Sequence, residues 1–199
     1  MRFPLSLQFK ILALAPQITV RDADGAVLLY VHQKLFKLKE QINVYRDASK
    51  AELAYGIAAD RVIDFSAAYA FTDPSGRPAG SVKRSGLKSL WRAHYVVSDA
   101  TGQPRLKIEE ENPFVKLLDA LLGQIPLVGM VTGYFLHPRY VVADSATGQA
   151  ALRVTKRRSF LESTFTVTAE AGAAGLGEEG ETAAVLAILT MALLERSRG

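Results

Sequence analysis

The sequence predicts a mainly β fold, a closed antiparallel β-barrel of about 11 to 12 strands in a hairpin meander around a central apolar C-terminal α-helix. Three observations predict it. A turn signature returns along the chain, apolar and polar residues alternate between the turns, and a long uncharged segment lies near the C-terminus. A helical apolar insertion interrupts the later strands.

The turn signature is an Asp followed by a Gly three or four residues later. It occurs at 22–25, 73–76, 99–102 and 144–148, and a related Asp-Ala-Ser-Lys stands at 47–50. In such turns Asp accepts hydrogen bonds from the nearby backbone, and Gly supplies the positive φ that a tight hairpin needs. Each occurrence is therefore predicted to be the tip of a β-hairpin.

Alternating segments between these turns are predicted to be strands. They are 18–21, 27–32, 42–45, 52–57, 68–71, 79–83, 93–97, 105–109, 140–142, 150–155 and 165–168. Residues 3–14 are predicted to form a first strand or an N-terminal arm. The alternative is a cleaved signal peptide, but Gln8 and Lys10 interrupt its apolar run.

Length and composition predict one globular domain, 1–199. The chain has 199 residues, of which 49% are hydrophobic and 22% are charged. It has no cysteine, which excludes thiol catalysis, cysteine zinc sites, iron–sulfur clusters and a disulfide framework. The expected location is the cytoplasm, with peripheral association with a membrane as a further expectation.

The C-terminal segment is predicted to be a buried helix at 181–197, preceded by a Gly-rich linker at 172–180. Residues 182–194 are uncharged and apolar on every side. Such a helix must be enclosed by protein or lipid, and thirteen residues rise only about 20 Å against the roughly 30 Å of a bilayer core. Enclosure by the barrel is therefore the favoured interpretation, and a tail anchor is the alternative.

An apolar insertion is predicted at 112–136, after the strand that ends near Glu109. Its first part places leucines on one helical face, and its second part carries no charge. Three interpretations are open: packing on the barrel end, reversible insertion into a membrane interface, and a membrane span. The candidate membrane or partner contacts are Phe114, Leu117, Leu118, Leu121, Leu122, Ile125, Leu127 and Val128.

Two stretches carry a resemblance to known families. One is 31–38 followed by Val44-Tyr45-Arg46-Asp47, and the other is 152–157 followed by 165–167 and the C-terminal helix. They resemble the LURP-one-related proteins, whose superfamily includes the tubby C-terminal domain and the phospholipid scramblases. The resemblance implies a barrel around a central helix, and binding of phosphoinositide headgroups through basic residues. The chain departs from it in the long insertion and in lacking the acidic calcium-binding and cysteine-rich segments of animal scramblases.

Basic residues cluster where strands return, at the end of the meander opposite the Asp-containing tips. Converging Lys and Arg side chains can hold phosphate. The candidate anion or lipid-headgroup residues are Lys34, Lys37, Lys39, Lys83, Arg84, Lys88, Arg92, Lys156, Arg157 and Arg158. The alternative interpretation is that these are solvated strand ends that discourage edge pairing.

No catalytic constellation is recognisable, so we expect a non-enzymatic protein without cofactor or metal. The three histidines, His32, His94 and His137, lie in separate strands or their ends, and His94 is interpreted as a barrel-wall residue. Nucleic-acid binding is not expected, because aromatic residues are not interleaved with the basic clusters. Two hypotheses remain: a module that docks on anionic phospholipid, and a soluble structural or interaction domain, for example a homodimer, that uses the insertion as its contact.

Overall fold

The structure, a computed structural model, describes residues 1–10, 17–32, 41–60, 67–85, 94–111, 139–158 and 162–196. Twelve strands lie in these ranges. They are β1 (Leu5–Lys10), β2 (Gln17–Arg21), β3 (Val27–His32), β4 (Gln41–Tyr45), β5 (Leu53–Ala59), β6 (Ala68–Thr72), β7 (Pro78–Arg84), β8 (His94–Ser98), β9 (Pro104–Glu110), β10 (Arg139–Asp144), β11 (Ala150–Arg158) and β12 (Glu162–Ala169). All eleven predicted strands are present, and the segment predicted as a first strand or arm contains β1.

The strands form one closed antiparallel barrel in which each strand pairs with its neighbours in sequence. Closure is made by β1 and β12, whose register runs from Leu5 opposite Val167 to Lys10 opposite Glu162. The predicted fold class, a closed hairpin meander, is confirmed. Closure also leaves none of the twelve described strands with a free edge that could pair with another chain.

The barrel interior is apolar because alternate residues of each strand point inward. In β1 the inward residues Leu5, Leu7 and Phe9 are buried, whereas Ser6 and Gln8 between them face outward. Phe9 also packs against Phe165 of β12, with the ring centroids 5.5 Å apart. The same alternation decides which polar side chains reach the outer wall, so it determines where a ligand could bind.

The C-terminal helix α1 (Gly177–Arg196) is enclosed by this apolar interior. Every residue from Ala184 to Leu193 is buried, with no more than 3% of its surface exposed. Even the hydroxyl of Thr190 is satisfied within the helix, donating to the Leu186 carbonyl at 2.8 Å. The predicted central apolar helix is therefore present and surrounded on all sides.

The helix begins at Gly177, four residues before the predicted start at 181. Glu178 and Glu179 occupy its first turn, where negative charge complements the helix dipole. Part of the segment predicted as a Gly-rich linker is a 3-10 helix, Ala171–Gly175. Glycine content alone suggested a flexible linker, but the acidic residues extend the helix and the alanines form the 3-10 turn.

One hairpin tip departs from the Asp…Gly pattern and predicts a stabilising substitution. Lys50 has φ +59°, the left-handed conformation that glycines adopt in the other tips. Because this conformation costs a non-glycine residue roughly 1–2 kcal/mol, Lys50→Gly is expected to raise the free energy of unfolding by about 1 kcal/mol. Urea unfolding measures the change. Ser49→Gly is the matched control, and a gain as large in that variant would contradict the conformational explanation.

Candidate functional site

The two ends of the barrel differ in their connections. The tight hairpins follow β2, β4, β6, β8 and β10 at one end, where α1 also begins, and we call this the turn end. Strands β1, β3, β5, β7, β9 and β11 end on the opposite side of the barrel, which we call the connection end. The Asp-containing tips therefore lie together at the turn end, opposite the ends of β7 and β11.

The turn aspartates use their carboxylates to hold their own hairpins. Oδ1 of Asp99 accepts hydrogen bonds from the backbone amides of Thr101 and Gln103, at 2.9 and 3.0 Å, and from the Thr101 hydroxyl at 2.6 Å. Asp73 repeats the two backbone bonds. The glycines of these tips have φ near +80°, as the turn pattern predicts. The tips are therefore structural elements and not a set of free ligands.

These hydrogen bonds lower the pKa of the turn carboxyls. The Thr101 hydroxyl is the largest cause at Asp99, and the backbone amide of Thr147 is the largest cause at Asp144. At Asp73 the backbone amide of Arg77 contributes most. Donors that bond the charged form favour it over the protonated form. The folded state therefore prefers these aspartates ionised.

Acidification is expected to reduce the free energy of unfolding through these carboxyls. Their folded pKa values lie below the unfolded value of about 3.9, so their contribution is complete above about pH 5 and is lost as pH falls through the folded pKa. Asp99→Asn keeps an oxygen acceptor but cannot titrate. Its destabilisation relative to the wild type, measured by urea unfolding, is expected to be largest at pH 7 and to shrink toward pH 3. A difference that stays constant with pH would contradict this.

The turn end also carries arginines, so it is less uniformly acidic than the sequence pattern suggests. Nη1 of Arg2 bonds Oδ2 of Asp24, and Nε of Arg77 lies 2.7 Å from Oδ2 of Asp73. These pairs neutralise part of the charge of the hairpin tips. Two clefts flank the start of α1 here, with volumes of about 760 and 510 Å³, and Tyr55 lines both.

At the connection end, three candidate basic side chains are described, and they point in different directions. Lys83, at the end of β7, is exposed on the outer wall. The next residue, Arg84, is the strand partner of buried Tyr95 and faces the interior. Lys156 of β11 also faces inward, with its Nζ 5.2 Å from the centre of the Phe165 ring. They share one end of the barrel but do not share one face.

Of the other candidate basic residues, two are described by their place in a strand and five lie outside the described residues. Arg157 and Arg158 are the last residues of β11 and therefore also lie at the connection end. Lys34, Lys37, Lys39, Lys88 and Arg92 lie outside the described residues, as does His137. The same holds for the candidate contacts Phe114, Leu117, Leu118, Leu121, Leu122, Ile125, Leu127 and Val128 of the insertion. Within the described part of the chain, no helix has the length and apolar character needed to cross a bilayer.

A buried polar layer at the connection end was not predicted. Glu110 is only 1% exposed and is the strand partner of Tyr140, which is fully buried. Its neighbours face outward: Oε1 of Glu109 lies 3.1 Å from Nδ1 of His94, and Glu111 bonds Arg153. Adjacent carboxylates on opposite faces agree with the expected alternation. Alternate residues of a strand face the same side, so the burial of Ile108 indicates that Glu110, two residues later, is buried as well.

His94 lies in the barrel wall, as interpreted from the sequence, and pairs across strands with Glu109. His32 of β3 lies on the outer wall, where its Nδ1 is 3.4 Å from Nζ of Lys50. Among the described residues, no three His, Cys, Asp or Glu side chains come together as metal ligands.

Comparison of the chain with protein-family models, with curated proteins and with solved structures gives no match. The class that the fold defines is therefore architectural: a twelve-stranded meander barrel with a helix in its interior.

Proposed function

We propose that the protein is a non-enzymatic binding module that docks on anionic phospholipid headgroups through its connection end. The observation that carries the proposal is topological. Because β7 and β11 end on the same side of a closed barrel, Lys83, Arg84 and the basic run 156–158 lie around one opening. The other candidate residues, Lys34, Lys37, Lys39, Lys88 and Arg92, follow β3 and β7 in the sequence and lie outside the described residues.

Charge supports the direction of docking. Basic side chains near an anionic leaflet each contribute about 1 kcal/mol to binding, and the attraction is screened by salt. Exposed Lys83 and Arg139 stand at the connection end, whereas the carboxylates of the hairpin tips lie at the opposite end. The barrel would therefore approach a negative surface with its connection end first. The resemblance to tubby-like proteins supports the same ligand class.

The test is sedimentation with vesicles of phosphatidylcholine, with and without phosphatidylserine or phosphoinositide. Pelleting is expected only with anionic vesicles and is expected to fall steeply with salt. Lys34, Lys37 and Lys39 replaced together by Gln should weaken binding on the order of 100-fold, since three basic residues contribute about 3 kcal/mol. Arg77→Gln, which removes an exposed charge at the turn end, is the control. Equal pelleting on neutral and anionic vesicles would refute the proposal.

The second candidate function is a structural or interaction domain that uses the apolar insertion as its contact. One observation favours it. Among the described residues, Met1 is the single large apolar side chain with high exposure, at 42%. The described wall thus offers no apolar patch for a partner, and the sequence concentrates such residues in 112–136. Light scattering of the intact chain and of a chain lacking 113–133 tests it, and monomers in both cases would exclude a homodimer.

A further inference from the structure

A polar groove crosses the outer wall of the first three strands. It has a volume of about 200 Å³ and is lined by Gln8, Lys10, Gln17, Thr19, Arg21, Val27, Tyr30 and Ala48. Seven of these residues belong to β1, β2 and β3, and Ala48 belongs to the turn between β4 and β5. The groove is separate from the candidate basic residues of the connection end.

Strand register explains how these side chains meet. Gln8 is opposite Thr19, and Thr19 is opposite Tyr30, so three outward side chains form one row across three strands. Lys10 and Gln17 form the next pair along the same strands. Directly opposed Cβ atoms lie about 5 Å apart, and successive outward residues of one strand about 7 Å apart. Lys10 and Arg21 lie in the rows on either side of this one, so their long side chains can reach a ligand held above Thr19.

The groove is rich in hydrogen-bond donors and carries positive charge. Lys10 is exposed on this wall. Nη1 of Arg21 donates to the Gly25 carbonyl at 2.9 Å. A guanidinium has five N–H donors, so further N–H groups of Arg21 can donate to a ligand. The lining includes no carboxylate. A ligand with several acceptor oxygens and negative charge would match this arrangement.

Tyr30 gives the groove a fixed floor. It points outward, as its pairing with Thr19 and Tyr45 requires, yet only 7% of its surface is exposed. The turn after β4 approaches this wall, because Lys50 reaches His32 and Ala48 lines the groove. An outward tyrosine on a barrel wall is normally open to solvent, so this partial cover forms a recess and not a flat surface.

We infer that this groove binds the phosphate group of a compact phosphate ester, with Lys10 and Arg21 as its cationic contacts. Thr19, Gln8 and Gln17 supply neutral donors between the two charges, and the volume suits a small ligand. The phosphate could belong to a soluble ester or to a lipid headgroup. The inference does not depend on membrane docking by the connection end.

The experiment is a titration of the full chain with inorganic phosphate and with glycerol 3-phosphate at constant ionic strength, followed by NMR. Saturable shifts of the side-chain amides of Gln8 and Gln17 are expected at millimolar concentration. Lys10→Gln should weaken binding about tenfold or more, since it removes a charge-assisted contact. Lys107→Gln, which removes an outward charge from β9, should bind like the wild type. No saturable shift, or equal binding by both variants, would overturn the inference.

A gain of affinity provides a test that misfolding cannot imitate. Ala48, in the turn after β4, is exposed and lines the groove. Ala48→Lys adds a positive charge to the groove and is expected to strengthen phosphate binding several-fold; unchanged or weaker binding would count against the groove as the phosphate site. Vesicle sedimentation then identifies the source. If Lys10→Gln reduces pelleting on anionic vesicles as it reduces phosphate binding, the phosphate is a lipid headgroup, and unchanged pelleting indicates a soluble ester.

Discussion

Gly80→Ala is expected to lower the free energy of unfolding by about 3 kcal/mol or more. Gly80 lies on the inner face of β7 with φ +121°, and an added Cβ would stand 2.7 Å from the Ser98 carbonyl oxygen. The same Cβ would face Ala183 of α1 at 3.6 Å, so the barrel wall has little room to move inward. An unfavourable φ costs about 1–3 kcal/mol and overpacking about as much again. Chemical unfolding monitored by circular dichroism measures the loss.

Gly102→Ala is the matched control for this substitution. Gly102 also has a positive φ, +84°, but an added Cβ there would meet nothing within 4 Å. The variant is therefore expected to lose only the conformational part, about 1–2 kcal/mol. The difference between the two variants isolates the close approach of β7 to its neighbour and to the helix. Equal losses would contradict the packing that we describe around Gly80.

Truncating the apolar side chains of α1 is expected to be costly on every side of the helix. Leu186, Ile188 and Leu189 are all fully buried, and at about 100° per residue they face three directions. Each substitution to Ala should lower the free energy of unfolding by about 2–5 kcal/mol, because it removes buried methyl groups and leaves a cavity. Urea unfolding of the three variants measures this directly.

The matched control lies in the same helix. Glu179 is exposed in the first turn, so Glu179→Ala is expected to change stability by about 0.5 kcal/mol or less. A helix that merely rested on the outside of a barrel would have one tolerant face. If any one of the three buried positions tolerated Ala as well as Glu179 does, the enclosed position of the helix would be wrong.

Local chemistry explains why the strands could be predicted so completely. The Asp99 tip illustrates it: the carboxylate bonds two amides within four residues, and Gly102 takes the positive φ. Both features depend only on residues within the turn, so the Asp…Gly pattern predicts the hairpin reliably. The helix was predicted for a similar reason, since a segment apolar on all sides requires enclosure. The predicted start is four residues late, because Gly180 was assigned to the linker although Glu178 and Glu179 before it form the first turn.

The candidate sites were less predictable, because they depend on which side of the barrel wall each side chain faces and on contacts between segments distant in sequence. Clustering placed Lys83 and Arg84 together, but the inward position of Arg84 follows only from its pairing with Tyr95. The groove beside Tyr30 requires the turn at 47–50 to approach β3, a contact with no local signal. Alternation counted from a known buried residue would have separated the inward from the outward basic residues.

The most direct test of the enclosed helix is thiol labelling, which is clean because the chain has no cysteine. Cys would be introduced singly at Ala184, Ala187 and Leu189, and at exposed Ser75 as the reference. The Ser75→Cys variant is expected to react with a maleimide at the rate of a free thiol. The three helix variants should react only as fast as the whole protein unfolds, and a helix position that reacts as fast as Ser75→Cys in the folded protein would contradict a helix inside a closed barrel.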